Sequence, residues 1–131
     1  MDTIRQAAGL GLLTCPYIFN EEEVRDMTRA SADVLIPHMG LTTKGSIGAK
    51  TALALEEAAR RVQAMHDAAK KIRSDVLVLC HGGPISEPED GQYLPSHTQG
   101  VAGFFGAPSI ERLPTGYAIT SCVKRFKEIH K

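Results

Sequence analysis

Three strand-to-loop junctions in this chain share one construction, and they restrict its fold more than any other feature. The first is Asp33-Val34-Leu35-Ile36-Pro37-His38-Met39-Gly40, and the second is Asp75-Val76-Leu77-Val78-Leu79-Cys80-His81-Gly82-Gly83. The third is Val101-Ala102-Gly103-Phe104-Phe105-Gly106-Ala107. In each, a short apolar run ends in glycine, and in two of them a histidine stands just ahead. Unbroken apolar runs of this length suit strands buried on both faces, as in parallel sheets covered by helices. Glycine at a strand exit lets backbone amides come close to a ligand. The pattern predicts a ligand site at the carboxyl edge of a parallel sheet.

The segments between these runs read as helices. Residues 1–9 read as the end of a helix, and residues 10–18 as a strand. Asn20-Glu21-Glu22-Glu23 forms a capping box, with three acids at the positive end of the helix dipole. The longest helix is predicted over about 46–73. Its Leu55, Ala58, Ala59, Val62, Met65, Ala69 and Ile72 form one apolar stripe, and Glu57 pairs with Arg61 on the outer side. Residues 87–99 contain Gly91 and Pro95, so only a turn or two of helix is expected there. Thr115 is expected to cap a last helix whose Ile119, Cys122, Val123, Phe126 and Ile129 face inward. Strands are thus predicted at about 10–18, 33–39, 75–81 and 101–106, in one domain over 1–131. Consecutive β-then-α units call for a parallel sheet. Four such units are half of an eight-unit barrel, which needs about 250 residues.

Composition narrows the function classes. Fifteen basic residues balance fifteen acidic ones, and no lysine- or arginine-rich run appears. That argues against a nucleic-acid partner. No apolar stretch approaches the ~20 residues of a membrane span, and the start, Met1-Asp2-Thr3-Ile4-Arg5, lacks the layout of a signal peptide. A cytoplasmic protein without a membrane partner is expected. Cys15, Cys80 and Cys122 are too far apart for a zinc or redox motif, so all three are expected to be buried, reduced thiols.

Several segments together resemble one known family. They are Leu12-Leu13-Thr14-Cys15-Pro16-Tyr17, then His38-Met39-Gly40-Leu41-Thr42-Thr43 with Gly45-Ser46-Ile47-Gly48-Ala49. Leu79-Cys80-His81-Gly82-Gly83-Pro84-Ile85 with Pro88-Glu89-Asp90 follows, then Gly103-Phe104-Phe105-Gly106-Ala107 with Glu111-Arg112-Leu113-Pro114. These resemble the phosphoenolpyruvate hydrolase-like TIM-barrel family, also described as a TIM-barrel signal-transduction family. The C-terminal domain of plant tobamovirus-resistance proteins is similar too. The resemblance implies the C-terminal half of a (β/α)8 barrel, with no counterpart of the first four strands. It also implies hydrolase or lyase chemistry on a small anionic metabolite. Pro108 and Gly116 depart from the pattern, where the family is expected to carry serine and an acidic residue.

The candidate residues follow from their places. His81-Gly82-Gly83 and Gly106-Ala107-Pro108-Ser109 end the last two strands, where barrel enzymes often hold phosphate with backbone amides. Gly40, Thr42, Gly82, Gly83, Gly106 and Ser109 are therefore the expected substrate or phosphate contacts. His38 and His81, at matching strand exits, can act as general acid or base, bind a metal, or make structural hydrogen bonds. A divalent metal stays open as a cofactor, without a ligand motif to support it. Glu111 and Arg112 can serve as base and anion clamp, or as a salt bridge. Two alternatives accompany the enzyme reading. One is a non-catalytic half-barrel module, either closed by a second copy as a dimer or joined to a missing N-terminal half. The other is a truncated piece of a longer protein.

Overall fold

The computed structural model describes residues 1–41, 54–107 and 109–128, without the side chains of residues 112 and 113. Along the chain lie α1 (Asp2–Gly9), β1 (Tyr17–Ile18), α2 (Glu21–Arg29), β2 (Val34–Pro37) and α3 (Leu55–Lys70). They are followed by β3 (Leu77–Cys80), α4 (Pro88–Ser96), β4 (Gly103–Phe104) and α5 (Arg112–Lys127). The four strands form one parallel sheet in the order β1-β2-β3-β4. This is the architecture of half a TIM barrel.

The ladder is shorter than the apolar runs that build it, for local reasons. Leu10 and Leu12 still close the last turn of α1 through bonds to Ala7, and Pro16 has no amide to donate. The chain nevertheless runs alongside β2 from Thr14 onward, because the carbonyls of Thr14, Pro16 and Ile18 accept from Val34, Ile36 and His38. Thr14 also gives its amide and hydroxyl to Asp33 at 2.8 and 2.9 Å. The Thr14 amide, then its hydroxyl, hold the Asp33 carboxyl below its usual range.

Register decides which residues share a face. Tyr17 pairs with Ile36, Val34 with Leu77, Leu35 with Val78, and Leu79 with Gly103. Paired residues of parallel strands point the same way, and alternate residues point oppositely. Ile18, Leu35, Val76, Val78 and Cys80 therefore face the helices, where they join Val24, Ala58, Ala59, Val62, Met65 and Ala69 in the core. The other face, the one that lines the lumen in a closed barrel, stays partly open. Leu77 is 50% exposed and Tyr17 43%. A parallel sheet normally has both faces covered.

The ends of the helices follow their sequence signals in part. Asn20 accepts from the Glu23 amide, and Glu23 accepts in return from the Phe19 amide. The helix predicted over about 46–73 is described from Leu55 to Lys70, and its first residues lie outside the described ones. Ile72, expected in its stripe, falls past the helix end and is exposed. Arg60 and Arg61 both pair with Glu57, at 2.9 and 3.0 Å. Helix α4 runs longer than Gly91 and Pro95 suggest. Pro88 occupies its first turn, Glu87 and Asp90 form a capping box, and Pro95 falls one residue before the end.

Helix α5 overturns an expectation. Tyr117, Ile119, Cys122, Val123 and Phe126 are exposed, Phe126 by 69%. Ile129 lies outside the described residues. The stripe does not reach the core because β4 is the edge of the described sheet, so no neighbouring strand offers α5 a surface. Thr115 is not its cap either: the helix begins at Arg112, and the Thr115 hydroxyl donates back to the Glu111 carbonyl at 2.6 Å. Of the cysteines, only Cys80 is buried, while Cys15 and Cys122 are exposed. Burial pushes the Cys80 thiol up to about 11.

Candidate functional site

The carboxyl ends of all four strands meet in one cluster of rings. His38 and His81 lie one residue past β2 and β3 and form an isolated parallel bridge. Alternation puts them on the open face, above Ile36 and Leu79. Their ring centroids are 4.8 Å apart, edge to face. Tyr17, from β1, stacks on His81 at 5.0 Å and meets the edge of His38 at 5.1 Å. Phe19 stacks on His38 at 5.2 Å, and Phe105, beyond β4, packs edge-on against His81 at 5.8 Å. Two imidazoles are thus walled by three aromatic rings, one or more from each flanking strand.

Each histidine is held by its Nδ1. The Gly40 amide donates to Nδ1 of His38 at 3.1 Å. Nδ1 of His81 lies 2.6 Å from the Phe105 carbonyl oxygen. Among the described residues neither Nε2 has a hydrogen-bond partner. His81 is 6% exposed and His38 more open. Partial burial, and then the neighbouring His81, lower the pKa of His38 below its ordinary value.

The glycines form the floor of the cluster. Gly82 and Gly83 both take positive φ, 72° and 62°. They bring the β3 exit against the β2 exit, where the Met39 amide donates to the His81 carbonyl and the Gly83 amide to the Gly40 carbonyl, at 2.9 and 2.7 Å. The Gly83 amide is therefore committed within the protein. The amides of Gly82 and Gly106 have no acceptor among the described residues. A β-carbon on Gly82 would lie 3.2 Å from Cε1 of His38, so this loop touches the imidazole directly.

The remaining candidates sit around this floor. Gly40 is exposed at the mouth, with φ at 98°. Ser109 lies in the turn between β4 and α5, and Glu111 is exposed at the start of α5. Thr42 and the side chain of Arg112 lie outside the described residues, as do Thr43 and Lys44. Among the described residues, no three His, Cys, Asp or Glu side chains gather as a metal site. Sequence reasoning did not single out Tyr17, Phe19 and Phe105. The signal was there: each stands at a strand exit two residues from, or in register with, a lumen-facing position.

A groove of about 580 Å³ lies apart from this cluster, at the entry to β4, and includes Gln63, His66, Asp67 and Gln99. Gln63 accepts from the Gln99 amide at 2.7 Å and donates to Asp67 at 2.8 Å. That network anchors the loop leading into β4.

Comparison with known proteins matches the chain over residues 1–129 to the family model described as phosphoenolpyruvate hydrolase-like. The chain belongs to the phosphoenolpyruvate hydrolase-like family. It is 53% identical over 129 residues to the ToMV susceptible protein tm-1(GCR26) and the ToMV resistance protein Tm-1(GCR237), both of Solanum lycopersicum. It is 26% identical to the putative transcriptional regulatory protein y4pA of Sinorhizobium fredii. Each match takes in 98% of this chain, but only 17% of the tomato proteins and 21% of the bacterial one. Among the described residues no helix is long and apolar enough to cross a membrane.

Proposed function

We propose that this chain is the half-barrel part of an enzyme acting on a small anionic metabolite, phosphorylated or a 2-oxo acid. The reaction is hydrolysis or lysis of a carbon–carbon or carbon–phosphorus bond. One observation carries the reading: His38 and His81 stand side by side at the carboxyl edge of a parallel sheet, the edge at which barrel enzymes act. Among the described residues the amides of Gly82, which lies against His38, and of Gly106, the residue after Phe105, have no acceptor, and they supply donors for the anion. The family membership supports the reaction class.

Thermal unfolding with pyruvate, inorganic phosphate and an uncharged analogue tests the reading. The two anions should stabilise the chain increasingly with concentration, logarithmically once the site fills, and His81→Asn should weaken that protection. Equal behaviour with the uncharged analogue would overturn it.

The open lumen face favours a second reading, a non-catalytic half-barrel that binds a partner. Leu77 and Tyr17 on the sheet and Ile119, Val123 and Phe126 on α5 present apolar surface beside the outer strands β1 and β4 of the described sheet. Two copies, each of 14.1 kDa, would close one barrel. Light scattering that finds a dimer without turnover supports this module, and a monomer that turns over substrate contradicts it.

A further inference from the structure

We infer that His38 and His81 hold opposite tautomers and therefore different roles: His81 is the base, and His38 is a neutral hydrogen-bond donor to a developing oxyanion. The inference rests on the enzyme reading above and assigns the two rings within it. A backbone carbonyl only accepts, so the Phe105 oxygen 2.6 Å from Nδ1 of His81 requires a proton on that nitrogen. In the neutral ring Nε2 is then a bare lone pair. A backbone amide only donates, so the Gly40 amide at Nδ1 of His38 requires a lone pair there. Its Nε2 then carries the proton. The two rings, 4.8 Å apart, present one acceptor and one donor on the same face of the sheet. Phe105 and Gly40 are the positioning residues, acting through their backbone.

This pair suits one chemical class, a carbonyl compound with an acidic hydrogen on the adjacent carbon. Nε2 of His81 takes that hydrogen as a proton. The C–H electrons become the carbon–carbon double bond of an enolate, and the carbonyl π electrons move onto oxygen. The Nε2 proton of His38 hydrogen-bonds that oxygen and stays on its nitrogen throughout. Return of the proton from His81 to carbon restores the carbonyl and both rings. No oxidant or further reactant is needed. His38 stays neutral at neutral pH because burial and the neighbouring His81 disfavour its charged form. A neutral imidazole stabilises an oxyanion without protonating a leaving group, so within that reaction class the pair serves steps that pass through an enolate rather than acid-assisted cleavage.

Long-range nitrogen–proton correlation spectra of the labelled full chain, recorded at about pH 8 where imidazole is neutral, read the tautomers without any substrate. The expected result is a proton on Nδ1 of His81 and on Nε2 of His38. Matching or interchanged tautomers would overturn the assignment. Exchange of the methyl hydrogens of pyruvate in deuterium oxide tests the chemistry. His81→Asn, which keeps the donor to Phe105, should slow exchange about 100-fold or more. His38→Leu should slow it roughly 10-fold or more, and His38→Gln, which keeps an N–H, should recover part of the loss. Exchange unaffected by His81→Asn would overturn the base. If pyruvate binds and exchanges nothing, enolisation is wrong while the binding reading survives. If it does not bind, the proposed substrate class falls with it.

Discussion

Gly83 lies against the backbone of Met39 so closely that a β-carbon built on it would sit 2.2 Å from the Met39 carbonyl oxygen. This contact joins the exits of β2 and β3, and it sets His38 beside His81. Close approach of two main chains, together with positive φ, leaves no room for any side chain here.

Gly83→Ala should therefore cost roughly 2–4 kcal/mol of stability, because the obstacle is rigid backbone and the conformation is left-handed. Urea unfolding checks this, and a loss below about 0.5 kcal/mol would contradict it. For the same reason, loss of anion binding in a Gly83 variant cannot be read as a lost phosphate contact. Its amide already serves Gly40.

The two faces of the sheet should respond differently to truncation. Leu35→Ala removes a fully buried side chain from the helix-facing core and should cost about 2–5 kcal/mol. Leu77→Ala, on the open face, should cost under about 1 kcal/mol in the isolated chain. Similar losses for both, measured by denaturant unfolding, would mean that the lumen face is covered in solution.

Acid should weaken the fold through His38. Its folded pKa lies below the unfolded value near ~6.5, so the unfolded chain binds the proton more readily. The contribution is fully present above ~6.5, falls as pH drops toward the lowered folded value, and is constant below it. Denaturation midpoints across this range should slope downward with falling pH in the wild type. The slope should be shallower in His38→Gln. An identical slope in the variant would show that other groups carry it.

Thiol chemistry separates the cysteines. Cys15 and Cys122 are exposed and should react with a disulfide reagent in the folded chain, Cys15 slowed by the partial burial that raises its thiol, whereas buried Cys80, with its thiol near 11, should react only on unfolding. Prompt reaction of Cys80 in the folded chain would contradict the packing of β3 against the helices.

Much of this fold was legible because its signals are local. The runs before His38 and His81 announce buried parallel strands, and Asn20 with Glu23 announces the start of α2. Where long-range packing decides, the sequence misled. Ile119, Cys122, Val123 and Phe126 have the spacing of a buried stripe, but burial requires a surface opposite, and β4 ends the described sheet. The histidines could be placed at strand exits, yet the rings around them could not. Tyr17, Phe19 and Phe105 become neighbours only through the register of four strands.

The most direct test of the account follows the ring resonances of His38 and His81 while pyruvate or phosphate is added to the full chain. Both rings should shift together and saturate, and the response should disappear in His81→Asn. Rings that stay unperturbed while the anion binds elsewhere would contradict a functional site at the carboxyl edge of this sheet.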